Sequence, residues 1–285
     1  MKQLRKSSKL AILCGAICAF AACNNATENK QTATTESTES ASAPSIPIPT
    51  AISYDVVNTY PHDAKAFTEG LEYYDGFLYE GTGNYGESDL RKVNLQTGEV
   101  LLSKKLDKKY FGEGITILNG KIYQLTYREG KGFVYDLTTL KEEKSFIFNA
   151  AEGWGMLNNG AHLIYDDGTN VLHFLDPETF KEVKTLAVKD EHGPVNNLNE
   201  PEFIKGYLYA NQWLTDIILK IDTATGYVVG RADLTNIRER LGIPPVTNRR
   251  YSPDVMNGIA YDAKTNRIFI TGKYWPKLIE VKLDN

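Results

Sequence analysis

Apolar and polar positions alternate along most of the chain beyond residue 53, and the alternation restarts at intervals. FLYEGTG follows Asp75-Gly76, KIYQLTY follows Asn119-Gly120, and AHLIYDDG follows Asn159-Gly160. YLYANQW follows Lys205-Gly206, and RIFITGKYW follows Thr265-Asn266. Each is a turn pair feeding a run of period two, the signature of a β-hairpin. A second alternating run follows each one: LRKVNL, GFVYDL, VLHFLD, IILKID and LIEVKL. In the first four units a further turn, such as Gln96-Thr97-Gly98, leads to a third short strand.

The first four turn pairs are 40–46 residues apart, and the last interval is longer. A period of that size with several strands per unit predicts an all-β chain, a five-bladed β-propeller. Tyr54 to Thr59 (YDVVNT) has no hairpin partner and is expected to join the last blade and close the ring. The extra length before blade five holds LTNIRERLG, residues 234–242, with Pro244 and Pro245 after it. A cap residue, an amphipathic turn and a terminal Gly predict a short helical insertion, expected to lie across one face as a lid or wall.

The first 50 residues have a different texture. Lys2, Arg5, Lys6 and Lys9 precede an apolar run from Leu10 to Ala22, which is short for a membrane span. Phe20-Ala21-Ala22-Cys23 resembles a bacterial lipobox, so residues 1–22 read as a lipoprotein signal peptide and Cys23 as the lipidated residue. Ordinary secretion with cleavage at an Ala-x-Ala site is the alternative. Residues 23–50, rich in Thr, Ser, Ala and Asn, cannot bury enough apolar surface to offset their ordering entropy and read as a tether. The expected location is the cell envelope, with residues 51–285 as the propeller domain outside the cytoplasm. Cys14 and Cys18 fall in the leader, which leaves no disulfide framework and no cysteine zinc site. Removing the leader, with four basic and no acidic residues, takes the formal net charge from −4 to −8. That excess of negative charge argues against a nucleic-acid partner.

Several motifs carry little chemistry. Gly81-Thr82-Gly83-Asn84-Tyr85-Gly86 matches G-x-G-x-x-G, but a strand feeds it and a strand leaves it, so it reads as a mobile loop. His62, His162, His173 and His192 have no metal-ligand spacing. Asp166-Asp167-Gly168 reads as a hairpin turn, with a calcium turn as the alternative. What remains is a set of polar and aromatic residues placed just after the strands that follow the turn pairs: Glu113, Tyr127, Trp154, Asn199, Glu200, Trp213 and Lys273. In a propeller such positions converge on one central mouth. Trp154, Trp213 and Trp275 all sit in turn-adjacent segments, which suggests an aromatic-lined pocket.

The segments PHDAKAFTEGL, YEGTGNYGESDLRKVNLQTGEV, YFGEGIT, GWGM, LNEPEF, ANQWLTD, NGIAYD and TGKYWPKL occur in that order over residues 61–279. They resemble the plant- and bacterial-type glutaminyl-peptide cyclotransferases. The resemblance implies conversion of N-terminal Gln to pyroglutamate with release of ammonia, on peptide or protein substrates, without cofactor or metal. It implies Glu113 as general acid/base, flanked by glycines that let substrate and backbone approach. It implies Lys273 as a stabiliser of the oxyanion or of ionised Glu113. Trp154 and Trp213 would wall the glutaminyl side chain, Asn199 would bond the substrate, and Phe67 would pack in the pocket. Glu69 stands where plant members carry Gln, and Tyr127 where they carry Trp. Rival readings are a non-catalytic envelope propeller that binds peptides or glycans, and a metal-dependent lactonase-like hydrolase. The tether suggests a monomer.

Overall fold

In a computed structural model, the structure describes residues 46–245 and 254–284. The leader, Cys23 and the tether up to residue 45 lie outside the described residues. The first strand, β1 (Thr50–Pro61), starts earlier and runs longer than YDVVNT suggests.

Three antiparallel four-stranded sheets follow. The first is β2 (Thr68–Tyr74), β3 (Phe77–Thr82), β4 (Asp89–Asn94) and β5 (Val100–Lys105). The second is β6 (Gly112–Leu118), β7 (Lys121–Thr126), β8 (Lys131–Asp136) and β9 (Glu142–Ile147). The third is β10 (Met156–Asn158), β11 (Leu163–Asp166), β12 (Val171–Leu175) and β13 (Glu182–Ala187). A two-stranded ribbon, β14 (Lys189–Asp190) and β15 (Gly193–Pro194), leads to β16 (Leu198–Ile204), β17 (Tyr207–Gln212), β18 (Ile217–Asp222) and β19 (Val228–Asp233). A helix, α1 (Ile237–Arg240), precedes β20 (Met256–Asp262), β21 (Arg267–Gly272) and β22 (Lys277–Asp284).

The turn pairs fold as their residues require. Asp75, Asn119, Lys205 and Asn266 all take positive φ, and Gly76, Gly120 and Gly206 follow suit. That is the backbone a two-residue hairpin demands. Each unit carries one more strand than the turn pairs reveal, because a strand precedes each pair: β2, β6, β10, β16 and β20. These first strands touch in succession, and β20 returns to touch β2.

Strand β1 closes the set in two ways. Its first residues pair parallel with β19, and Ser53 to Pro61 pair antiparallel with β22. The last two units thus fuse into one eight-stranded sheet, β16-β17-β18-β19-β1-β22-β21-β20. One strand covers two open edges that would otherwise present unpaired backbone. The outer strands β5, β9 and β13 face water and carry Lys104, Lys105, Lys144 and Lys184, charges of the kind that discourage edge pairing.

Among the described residues, five apolar cores lie between neighbouring units. One joins Leu71 and Leu78 to Ala260 and Phe269, and another joins Tyr79 and Leu90 to Ile115 and Ile122. Leu125 and Val134 meet Leu163 and Tyr165, and Ile164 and Leu172 meet Leu198 and Leu208. Ile204 and Ile218 meet Met256 and Ile270. No disulfide is needed where each sheet buries both faces.

The insertion corrects one expectation. The helix has four residues, and Asn236 is left-handed with no side-chain cap bond. Leu234, Ile237 and Ile243 are buried in the same core as Met256 and Trp275. The described part of the insertion is therefore core packing, not a lid. A helix this short is held by tertiary burial, since one turn cannot repay its own nucleation. Trp275 is a second correction: it is fully buried, and its Nε1 donates to the carbonyl of Asp254 at 3.2 Å.

Candidate active site

The first strand of four units breaks its register at its start. The shifts fall between Thr68 and Gly70, Gly112 and Ile115, Asn199 and Glu202, and Met256 and Ile259. Such bulges re-aim side chains out of the ladder. The polar residues inside them are Glu69, Glu113, Glu200 and Asn257, with Asn199 at the edge. Glu113 and Asn199 therefore sit on strands that precede the turn pairs, not beyond the strands that follow them.

A second repeated contact supplies the walls. The amide of Tyr127 donates to the carbonyl of Phe111, that of Trp213 to Asn197, and that of Lys273 to Val255. Gly83 bonds to Phe67 in the same way. Tyr127, Trp213 and Lys273 thus hold one equivalent position, just past the second strand of their units. Trp154 precedes β10, where its amide donates to Asp166 and its carbonyl accepts from Gly114.

These elements enclose a cavity of about 220 Å³. Eight side chains expected from sequence line it: Phe67, Glu69, Glu113, Tyr127, Trp154, Asn199, Trp213 and Lys273; Glu200, grouped with them in the sequence, is buried behind the lining. Phe111 and Asn84 complete the lining, and sequence reasoning had not singled them out. Phe111 was legible as the second aromatic before Gly-Glu-Gly. Asn84 lies in the glycine-rich segment that reads as a loop, and its Nδ2 donates to the Tyr274 hydroxyl at 3.0 Å.

The floor is polar and buried; the walls are aromatic and half-exposed. Trp154 and Trp213 meet edge to face at 5.2 Å. Phe111 bridges Phe67 at 6.0 Å and Tyr127 at 5.5 Å. Glu152 pins the rim: it accepts from Trp154 Nε1 at 3.0 Å and from Arg128, whose Nη2 also reaches the Tyr127 hydroxyl at 3.0 Å.

The glycines beside Glu113 serve the backbone. A Cβ on Gly114 would lie 2.4 Å from the amide nitrogen of Met156, and one on Gly112 would lie 2.8 Å from the Thr82 carbonyl. Neighbouring units pack here with no room for a side chain. The close backbone approach expected of these glycines is this interunit contact.

The floor holds two carboxyls and one cation. Lys273 Nζ lies 2.8 Å from Glu69 and 4.5 Å above the Phe67 ring. Asn257 Nδ2 donates to Glu69 Oε2 at 3.2 Å and to the Thr68 carbonyl at 2.8 Å. Asn257 Oδ1 accepts from Asn199 Nδ2 at 2.7 Å, and Asn199 Oδ1 accepts from the Glu200 amide at 3.0 Å. Asn199 is therefore largely engaged with protein, with one amide hydrogen left for the pocket. Glu113 has no ion pair among the described residues. Burial first, then the negative charge of Glu69, pushes its carboxyl well above the ordinary range, against the pull of Lys273. Behind it, burial and Glu69 push Glu200 up to about 8. Burial and Glu200 push Asp166 well above its ordinary value.

Asp166-Asp167-Gly168 forms a turn: Gly168 has positive φ, and Asp167 Oδ1 accepts from the Thr169 amide at 3.1 Å. His173 pairs with Glu182 at 2.7 Å and stacks on Tyr165, away from the pocket.

A carboxyl whose ionisation is opposed by burial and then by a neighbouring acid, set in an aromatic pocket, is suited to moving protons between two nitrogens held close together. A family model described as glutamine cyclotransferase matches residues 26–283. Over 230 residues the chain is 40% identical to a glutaminyl-peptide cyclotransferase of Arabidopsis thaliana, covering 80% of this chain and 71% of that one. The solved structure of Myxococcus xanthus glutaminyl cyclase aligns with a TM-score of 0.75 at 35% identity, over 83% of this chain and 98% of that chain.

Proposed function

The chain belongs to the glutamine cyclotransferase family, and we infer from its pocket how it turns an N-terminal glutaminyl residue into pyroglutamate and ammonia. The observation that carries the reading is Glu113: a buried carboxyl, pushed well above the ordinary range, on the floor of an aromatic cavity. In the reaction the substrate's α-amine attacks its own side-chain amide carbon. The nucleophile is already tethered, so the protein's tasks are to fold the substrate and to move protons. Glu113 takes a proton from the attacking nitrogen and gives one to the departing amide nitrogen, which leaves as ammonia. Trp154, Trp213, Phe111 and Tyr127 clasp the aliphatic part of the glutaminyl residue, and the free hydrogen of Asn199 bonds a substrate oxygen. Aromatic walls exclude water, which strengthens each polar contact inside.

The fold is read as a five-bladed β-propeller. Five apolar cores between successive units, and a ring of first strands that returns from β20 to β2, support it. The pocket then sits at one mouth of the ring, where the bulges gather. A lipid on Cys23 is proposed to hold the domain at the envelope. Cys23→Ala would release the protein from the membrane fraction; retention there would sink the anchor.

The deciding experiment is ammonia release from a Gln-initiated dipeptide by the purified protein, beside Glu113→Gln. Turnover in the wild type that collapses in a folded Glu113→Gln supports the reading. Equal turnover in both would remove Glu113 from the chemistry. Absence of turnover across several Gln-peptides would favour a binding role instead.

A further inference from the structure

The pocket floor holds one cation and two carboxyls, and the geometry assigns the cation unequally. Lys273 Nζ is 2.8 Å from Glu69, with both side chains almost fully buried. On the other side, Asn257 turns its amide nitrogen to Glu69, because its oxygen is taken by Asn199. Glu69 therefore faces two donors and no acceptor, the setting of a carboxylate and not of a carboxylic acid. Glu113 has neither partner. The other ionisable groups that face it are Glu200 on β16, Asp166 on β11, and the hydroxyls of Tyr85 and Tyr127. The two acids repel a negative charge on Glu113, and none of the four offers a positive one.

We propose that Glu69 is a tuning residue for the proton on Glu113: its carboxylate engages Lys273, withdraws that cation from Glu113, and leaves Glu113 as a proton donor in the resting enzyme. Asn257, buried beneath the pocket, positions Glu69 for this task. With Gln at position 69 the floor would hold one cation and one carboxyl, and these would pair. The Glu69 arrangement carries one more proton at the same total charge.

The proton balance closes. The enzyme starts as Glu113–COOH with the substrate as free amine. The Glu113 proton goes to the amide nitrogen as the C–N bond breaks and ammonia leaves. The proton lost by the attacking nitrogen, as the ring C–N bond forms, returns to Glu113. No co-reactant is needed, and the carboxyl ends as it began. The burial trend agrees with the assignment. Burial pushes Glu69 up while Lys273, then Asn257, hold it back, whereas Glu113 is pushed further by burial and by Glu69 itself.

The catalytic arm of the test rests on the cyclotransferase reading; the spectroscopic arm does not. The infrared difference between wild type and Glu113→Gln isolates the Glu113 carboxyl band. A protonated-carboxyl band that persists above about pH 6, well beyond an ordinary Glu near about 4.3, is expected. In Glu69→Gln that band should be gone by the same pH. The alkaline limb of kcat/KM, where Glu113 gives up its proton, should move down by about one unit, which is about tenfold in rate on that limb. A Glu113 band already lost in the wild type by about pH 5, or a band and limb that Glu69→Gln leaves in place, would overturn the proposal. If Glu69→Gln does not fold, the wild-type titration decides by the same two limits. If the bands behave as expected but no ammonia is released, the cyclotransferase reading fails and the proton assignment stands.

Discussion

Two buried carboxylates on adjacent sheets, Glu80 on β3 and Glu113 on β6, have opposite surroundings. Glu80 accepts from the Thr68 hydroxyl at 2.8 Å and meets His62 Nε2 at 3.0 Å, with Arg91 at 3.7 Å. Arg91 is held in turn by Asp89 at 2.7 Å and Asp63 at 2.9 Å. The other nitrogen of His62 donates to the Trp275 carbonyl at 2.6 Å. Burial alone would raise Glu80, but His62 and Arg91 overcome it and its acidity is strengthened. Glu113 shares the burial without the cations, and its acidity is weakened. The first cluster is complete and ties the end of β1 and the segment between β21 and β22 to β2, β3 and β4. The second is left unbalanced, and the deficit is what makes it chemically useful. Burial by itself does not distinguish a structural carboxylate from a working one; the count of partners does.

Substitution with the uncharged isostere should separate the two roles most sharply. Glu113→Gln is expected to cost activity by roughly 10²–10⁴-fold with a melting temperature near that of the wild type. Glu80→Gln should leave turnover per folded molecule nearly unchanged but lower stability by about 3–5 kcal/mol, because His62 and Arg91 lose their buried partner. Urea unfolding and steady-state ammonia release on both variants give the comparison. Equal losses in both assays for both variants would erase the distinction.

Trp275 and Trp213 extend the contrast to the aromatics. Trp275→Ala opens a cavity in the core and should destabilise by about 3–5 kcal/mol. Trp213→Ala should instead raise KM by about tenfold, as expected for about 1–2 kcal/mol of lost wall contact, with little change in the urea midpoint.

The clusters also differ in pH dependence. His62 is raised by Glu80, so its contribution is present below about 6.5 and lost as pH climbs through its folded value. Glu80 is lowered, so its contribution is present above about 4.5 and lost as pH falls through its folded value. The pair therefore stabilises most between those limits. Glu200 is raised to about 8. The unfolded chain gives up this proton before the native one does, so stability falls from about pH 4.5 to about 8 and then levels. Glu200→Gln should flatten that decline, by on the order of 1–4 kcal/mol between pH 5 and 8. An unchanged slope would show that another group titrates there. The smallest effect is expected from Tyr127→Trp, about threefold or less in KM, since either ring fills the same wall.

Much of this was readable from residue order. Period-two runs behind Asp-Gly and Asn-Gly pairs mark the hairpins, because those residues accept the positive φ that a two-residue turn imposes. Turn-adjacent positions grouped Glu113, Tyr127, Trp154, Asn199, Trp213 and Lys273, and the family resemblance added Phe67 and Glu69. The strand before each turn pair was harder to see. TEGL, GEGI, LNEP and MNGI begin with a charged or amide residue beside Gly or Pro, which breaks the alternation where the bulge forms. That interruption is itself a signal: a Glu or Asn next to Gly or Pro, repeated at the start of four of the units.

Sequence alone determined the strand pattern, the hairpin turns and the family to which the chain belongs, because these depend on local backbone preference and on residue order. Three matters were decided only by the tertiary structure. β1 serves two sheets at once, a pairing of residues far apart in the chain that no local pattern encodes. Trp275 went to the core while Trp154 and Trp213 went to the pocket, although all three lie in similar turn-adjacent segments. And Lys273 went to Glu69, not to Glu113. A cation near two buried acids is shared according to distance, and the distance is set by two bulges and a loop that come together only when the chain is folded.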